Sequence, residues 1–416
     1  MENNKYYASD YCRLDSNVIL GGGTDDTRAL QALLDKALVD GRVHLVLDGA
    51  ALTTGLTVHS NTTIECPDAS CGLYLADHAD NFLITNSGKS AVKIKTSNVT
   101  ILGGTFNHNC RNQVHHTQEP HEAICETFVP SEFLPAYRRG VMAMEFVGIR
   151  DLTLKDVVFR NQRTYAFHCV NFERVNMDNI KIDLPDHMPY QNQDGLHFIG
   201  PGRFLNLRNI QGTAGDDIIA ITPDEYDCKS DITDVIIDGL MMNNSDQGIR
   251  LLSRGTGRLD RVTIRNVTGT YNSYGFYINP WYREAQGNIG SVYIENVFVD
   301  HEKPTYDYVN NMLFRVGGKV ENLVIKNVFW HAHTKHYSLM DIGLDDGSDI
   351  VRHPSDIGNI YIDGLYINEE DFEGKSEYIK VYSNIDNLVI KNLISNSKVP
   401  LIKVMEGGCL KKLTLG

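Results

Sequence analysis

The chain contains no run of 18 or more apolar residues in its 416, whereas a membrane-spanning helix needs about 20. Its opening, Met1 to Asp10, is polar and lacks the apolar stretch of a secretory leader. As given, the chain therefore reads as cytoplasmic, and as secreted or periplasmic if a leader has been trimmed. Positive charge is also scarce: 39 Lys and Arg stand against 53 Asp and Glu, a net charge of -14 at pH 7. That excess of acid argues against a nucleic-acid or anionic-membrane partner, since both favour basic patches. It also disfavours a strongly polyanionic substrate unless cations gather in the site. The cysteines (Cys12, Cys66, Cys71, Cys110, Cys125, Cys169, Cys228 and Cys409) lack metal-finger spacing. Most are expected to be small buried side chains, with Cys66–Cys71 and Cys110–Cys125 the pairs an oxidising compartment would join. Finally, Gly21-Gly22-Gly23 is followed by Thr24-Asp25-Asp26 and not by Lys-Ser or Lys-Thr, so it is not read as a phosphate-binding loop.

What is present is a repeat. Nine times the chain runs apolar, any, apolar, any, then Asn, Asp or Gly, then apolar, with copies starting at Leu152, Val175, Leu205, Val235, Val262, Val292, Leu323, Ile360 and Leu388. Successive starts differ by 23, 30, 30, 27, 30, 31, 37 and 28 residues, the spacing of a stacked architecture. Alternation such as Val262, Ile264 around Thr263 has the period of a strand with one face inward. The fifth positions are Asp156, Asn179, Asn209, Gly239, Asn266, Asn296, Asn327, Gly364 and Asn392, residue types that enter left-handed backbone at little cost. A bend in every copy winds the chain into coils, and no single coil can bury its apolar side, so coils must stack. Leucine-rich repeats and propellers fit less well: the periods vary, the leucine consensus is absent, and no blade dipeptide recurs. The expected fold is an all-β, single-stranded right-handed parallel β-helix forming one domain over residues 1–416.

An open end of such a coil exposes unpaired backbone and must be covered. Arg28 to Leu38 carries Leu30, Leu33, Leu34, Ala37 and Leu38 at helical spacing, with Thr24 as the expected N-cap, so a capping α-helix is placed within 21–40. From Asn107 to Gly140 the repeat is interrupted by a loop holding His108, His115, His116, His121, Glu119 and Glu122. A long loop on a solenoid tends to wall a binding face; the irregular spacing favours a solvated polar loop over a metal site. A second strand series precedes each copy, and if its apolar residues point inward, period two turns Glu145, His168, His197, Arg250, Tyr277, Arg315 and Asp341 outward. Such a mixed stripe suits a groove for a hydroxyl-rich ligand.

Two short stretches carry acids at the head of that stripe: Asn192-Gln193-Asp194-Gly195 and Gly215-Asp216-Asp217. One copy of the repeat lies between them, which puts them on adjacent coils. Stacked at about 4.8 Å and splayed, such carboxylates reach the roughly 6.5 to 9.5 Å used by inverting glycosidases to fit a water. Close acids cannot all ionise freely, so one is expected to keep its proton and serve as general acid. Asp-Gly and Gly-Asp-Asp are also turn chemistry, and three carboxylates also suit Ca²⁺.

With these motifs the chain resembles the family 28 glycoside hydrolases, the polygalacturonase-like enzymes of the pectin-lyase-type right-handed β-helix group. Asn192-Gln193-Asp194-Gly195 looks like the family's Asn-Thr-Asp-Gly, and Gly215-Asp216-Asp217 like its Asp-Asp motif. The resemblance implies hydrolysis with inversion, Asp216 as general acid, and Asp194 and Asp217 positioning and deprotonating water. The chain departs from the family at Asp246-Gln247-Gly248, where the family has Gly-His-Gly, and at Tyr277-Ile278-Asn279, where it has Arg-Ile-Lys. Loss of those cations disfavours a uronate and favours a neutral or differently decorated sugar, although Arg250 and Arg315 can supply charge from other positions. Asp194, Asp216 and Asp217 are thus the expected catalytic residues of a glycosidase acting on an oligosaccharide or polysaccharide. His168, His197, Gln247, Arg250, Tyr277, Asn279 and Trp281 are expected to bind substrate, and no cofactor or metal is expected. The competing readings are a Ca²⁺-dependent polysaccharide lyase with Arg250 as base, and a non-catalytic carbohydrate-binding β-helix.

Overall fold

The computed structural model describes residues 4–113, 142–188, 192–225, 230–280, 285–301, 311–333, 338–343, 355–370 and 377–416. The chain divides into two compact units, Met1–Asp216 and Asp217–Gly416. Both are wound from parallel strands as right-handed β-helix. In the first unit, Val43–Val46 pairs with Thr62–Glu65, which pairs with Thr96–Leu102, then Met144–Lys155, Phe167–Asp183 and Leu196–Gly212. In the second, Ile232–Leu251 and Leu259–Ile278 lead to two further stacks, one through Ile289–His301, Lys319–Ala332 and Asp356–Glu369 and the other through Met312–Val316, Ser338–Ile342 and Ile379–Val381.

The sequence repeat is the structural register. Leu152 lies beside Val175 and Val175 beside Leu205; Val235, Val262, Val292, Leu323, Ile360 and Leu388 form the same column in the second unit. Every fifth-position residue has the left-handed conformation, with φ between 52° at Asn209 and 86° at Gly239. The asparagines gain more than a permitted φ, because their amides reach back one rung: Asn296 Nδ2 donates to Asn266 Oδ1 at 3.1 Å and Asn327 Nδ2 to Asn296 Oδ1 at 3.2 Å. Replacing Asn327 by Val removes that bond and forces a β-branched residue to φ 52°. We expect it to destabilise the second unit by about 1–3 kcal/mol, read as a lower urea midpoint.

Inward positions fill the core as expected: Phe167, Leu196, Phe198, Phe276 and Ile278 are all fully buried, and Phe276 stacks on Phe314 at 4.9 Å between centroids. The N-terminal helix is present but differs in detail. It spans Thr27–Leu34, breaks at Asp35, and resumes as Lys36–Asp40. Leu30, Leu33 and Leu34 pack its first segment onto Val43–Val46 and Leu56–Val58. The Asp35 carboxylate is held by Gln31 and His59, and past this break Leu38 is turned out, 67% exposed. Thr24 is not the N-cap; Asp26 stands there, its carboxylate accepting from the backbone of Arg13 and Leu14.

Within the interrupting segment, His108 is neither a solvated loop residue nor a ligand. It is fully buried, its Nε2 on Asn81 O at 3.1 Å and its Nδ1 accepting from Arg163 N at 3.0 Å, and burial pushes its pKa down to about 4. Cys66 and Cys71 are both free thiols. Residues 114–141, with His115, His116, Glu119, His121, Glu122 and Cys125, lie outside the described residues, as do Cys228 and Trp281. No helix among the described residues is long and apolar enough to cross a membrane.

Candidate active site

In the first unit the outward column is Glu145, His168, His197, in direct register on three rungs. Glu145 takes a hydrogen bond from His168 Nδ1 at 3.1 Å and from Lys89 Nζ at 2.8 Å. Burial alone would raise the pKa of this carboxyl, but the His168 hydrogen bond and charge, with Lys89, hold it down at about 2 against a usual 4.5. Its contribution to folding is therefore complete above about pH 4.5 and is lost as pH falls through about 2. We expect Glu145→Gln to weaken the first unit at neutral pH and to remove part of the stability loss that the native chain shows between pH 4.5 and 2, measured by urea melts across that range.

Asp194 sits just before Leu196–Gly212, and its Oδ2 holds His197 Nδ1 at 2.7 Å. The His197 ring is stacked on Tyr165 at 4.4 Å with 13° between planes, and lies 5.9 Å from His168. Backbone bonds fix the acid from both sides: Ala166 N donates to Asp194 O at 2.9 Å, and Gly215 N to Gln193 O at 3.0 Å. Gln193 fills the second position of the acidic motif and is structural, its amide on Gln162 O at 2.7 Å and its Oε1 accepting from Met188 N at 2.6 Å. A Cβ at Gly215 would come within 2.6 Å of the His187 ring, so only glycine lets this turn close on its neighbour. The result is that Asp194 and Asp216 offer carboxylate oxygens within 4.8 Å of each other. Asp194 is almost fully buried and Asp216 half-buried. Asp194 Oδ1 makes no hydrogen bond to the described residues.

The second unit begins at Asp217, whose register partner is Gln247 and, one rung on, Tyr274. Arg250 Nε donates to Asp217, and its Nη2 donates to Gln247 Oε1 at 3.0 Å. The guanidinium also covers the Tyr277 ring at 4.6 Å. Arg250, Tyr277, Arg315 and Asp341 form one column, so Tyr277 lies between two arginines, with Arg315 at 5.3 Å from its centroid. Arg315 Nη1 donates to Tyr274 Oη at 2.7 Å. Asn279 is buried, its backbone N–H on Leu251 O at 3.1 Å.

Within each unit the outward column is polar and in register, and its members are buried: His168 and His197 in the first, and Arg250, Tyr277 and Arg315 in the second, are each less than a tenth exposed. Residues of neighbouring rungs satisfy one another through ion pairs and ring contacts. Tyr165, Tyr274 and Lys89 touch the candidate residues and were not singled out from sequence. Tyr165 stands three residues before His168 in the second strand series, while Tyr274 is recoverable by counting one rung on from Gln247.

No family model matches this chain, and no curated protein does. Solved structures do. An exopolygalacturonase from Thermotoga maritima superposes over 100% of this chain and 92% of its own, with a TM-score of 0.57 at 14% identity. The surface adhesin PfbA of Streptococcus pneumoniae superposes over 99% of this chain and 91% of its own, with a TM-score of 0.51 at 14% identity. Both are similar in fold, the right-handed parallel β-helix. Since one is named as an enzyme and the other as an adhesin, the fold by itself assigns no chemistry.

Proposed function

We propose that the protein is a glycoside hydrolase acting on an oligosaccharide or polysaccharide. The observation that supports this reading is the proximity of Asp194 and Asp216, a buried carboxylate anchored by His197 with an oxygen within 4.8 Å of one on a half-exposed carboxylate. Such a pair places an acid and a base at one glycosidic bond. Asp216 donates its proton to the leaving oxygen as the anomeric C–O bond breaks, while Asp194 takes a proton from the attacking water as its oxygen bonds to the anomeric carbon.

The lyase reading is the weaker one, because Arg250 is engaged as a donor to Asp217 and Gln247 and so is not available as a base. The same ion pair neutralises Arg250 beside the uncharged Tyr277 and Asn279, so a neutral sugar, or a pectin-related one with its acid masked, is the better substrate. The expected outcome of a panel of nitrophenyl glycosides and pectic, mannan and rhamnose-containing oligosaccharides is release of reducing ends, faster from neutral than from uronate members, and unaffected by a chelator. Ultraviolet-absorbing unsaturated products would point to a lyase, and binding without turnover to an adhesin-like role.

A further inference from the structure

The second unit carries a cluster that has no part in the chemistry above. His331 closes the strand Lys319–Ala332, His333 follows two residues later, and Glu370 comes just after the next rung, Asp356–Glu369. Each offers a donor atom, and these lie within 4.8 Å of one another. Glu370 spans the two histidines, with Oε1 at 3.4 Å from His331 Nε2 and Oε2 at 3.2 Å from His333 Nδ1. These separations are long for charge-assisted hydrogen bonds, which run about 2.7–2.9 Å. A carboxylate set at such separations from two imidazole nitrogens leaves space for an ion at the about 2.0–2.1 Å that these donors take.

The outer contacts fit as well. Asp300, from the strand Ile289–His301 one rung earlier, lies 3.3 Å from the other ring nitrogen of His331. A carboxylate on Nδ1 fixes the tautomer that leaves Nε2 with its lone pair toward Glu370, the carboxylate–histidine–metal arrangement. His331 and Asp300 also line a groove of about 730 Å³, which gives an ion a way in.

We propose that His331 Nε2, His333 Nδ1 and Glu370 bind a borderline divalent transition-metal ion, Zn²⁺ foremost, with Asp300 positioning His331. Two imidazoles and one carboxylate suit Zn²⁺ and not the oxygen-only preference of Ca²⁺ or Mg²⁺. Three protein ligands leave the fourth position to water. Ligands from two adjacent rungs make the ion a staple across the coil. The site stands independently of the glycosidase reading.

The test is calorimetric titration of the chelator-stripped full chain with ZnCl₂, with thermal melts alongside. The native chain should bind one equivalent saturably and melt higher with the ion bound. His333→Ala and Glu370→Gln, both at exposed residues, should each weaken binding by about 100-fold or more, and Asp300→Asn by about 10-fold. Asp216→Asn should bind Zn²⁺ as the native chain does, which separates this site from the acidic pair. Absence of saturable binding, or native affinity in either His333→Ala or Glu370→Gln with folding verified by circular dichroism, overturns the proposal.

Discussion

Asp216→Asn is expected to lower kcat for glycoside hydrolysis by about 10²- to 10⁴-fold, the contribution typical of a positioned acid. The change is nearly isosteric at a half-buried position, so the fold should be retained and the loss should be chemical. The role of the acid is to protonate a poor leaving group, and a nitrophenolate needs little protonation. The loss should therefore be far smaller on nitrophenyl glycosides than on natural oligosaccharides. Asp194→Asn should show no such relief, because in the proposed mechanism Asp194, held by His197 at 2.7 Å, acts on the nucleophile's side of the bond. Equal losses on both substrate types for both variants would remove the division of roles, and undiminished turnover by Asp216→Asn would remove the site.

Arg250→Ala should have the largest effect on stability. Arg250 and Asp217 have side chains only 10% and 4% exposed, and removing the cation leaves a buried carboxylate whose ionic partner is gone. Breaking such a pair from one side costs about 3–5 kcal/mol, and the stacking over Tyr277 is lost with it. The double variant Asp217→Asn with Arg250→Met should recover part of the loss, since a neutral pair of similar volume avoids burying a lone charge. Urea unfolding of the two variants, followed by a probe in the second unit, checks both figures; a cost under about 1 kcal/mol for Arg250→Ala would show that the pair is solvated.

The winding of the chain was legible because it is a local property. Left-handed φ at Asn179, Asn266 or Asn327 depends on the residue itself, and the alternation of Val262 and Ile264 with polar neighbours is set by strand period. The composition of the stripe followed for the same reason: once rungs are counted, His168 must lie beside His197 and Tyr277 beside Arg315. Quantities that depend on how turns close were not legible. The Gly215 to Gln193 backbone bond beside Asp194 and Asp216 is one such closure, and the interruption at Asp35, whose carboxylate meets Gln31 and His59, is another in a helix that spacing drew as continuous. Nor does the sequence announce His331, His333 and Glu370 as neighbours, since that contact exists only because one rung of the coil happens to be 37 residues long, as between Leu323 and Ile360.

The central claim, that this carboxylate cluster hydrolyses a glycosidic bond by direct displacement, is tested most directly by proton NMR of the first-formed product of any substrate the chain cleaves. Inversion of the anomeric configuration, read before mutarotation, is the expected result. A product of retained configuration would contradict it.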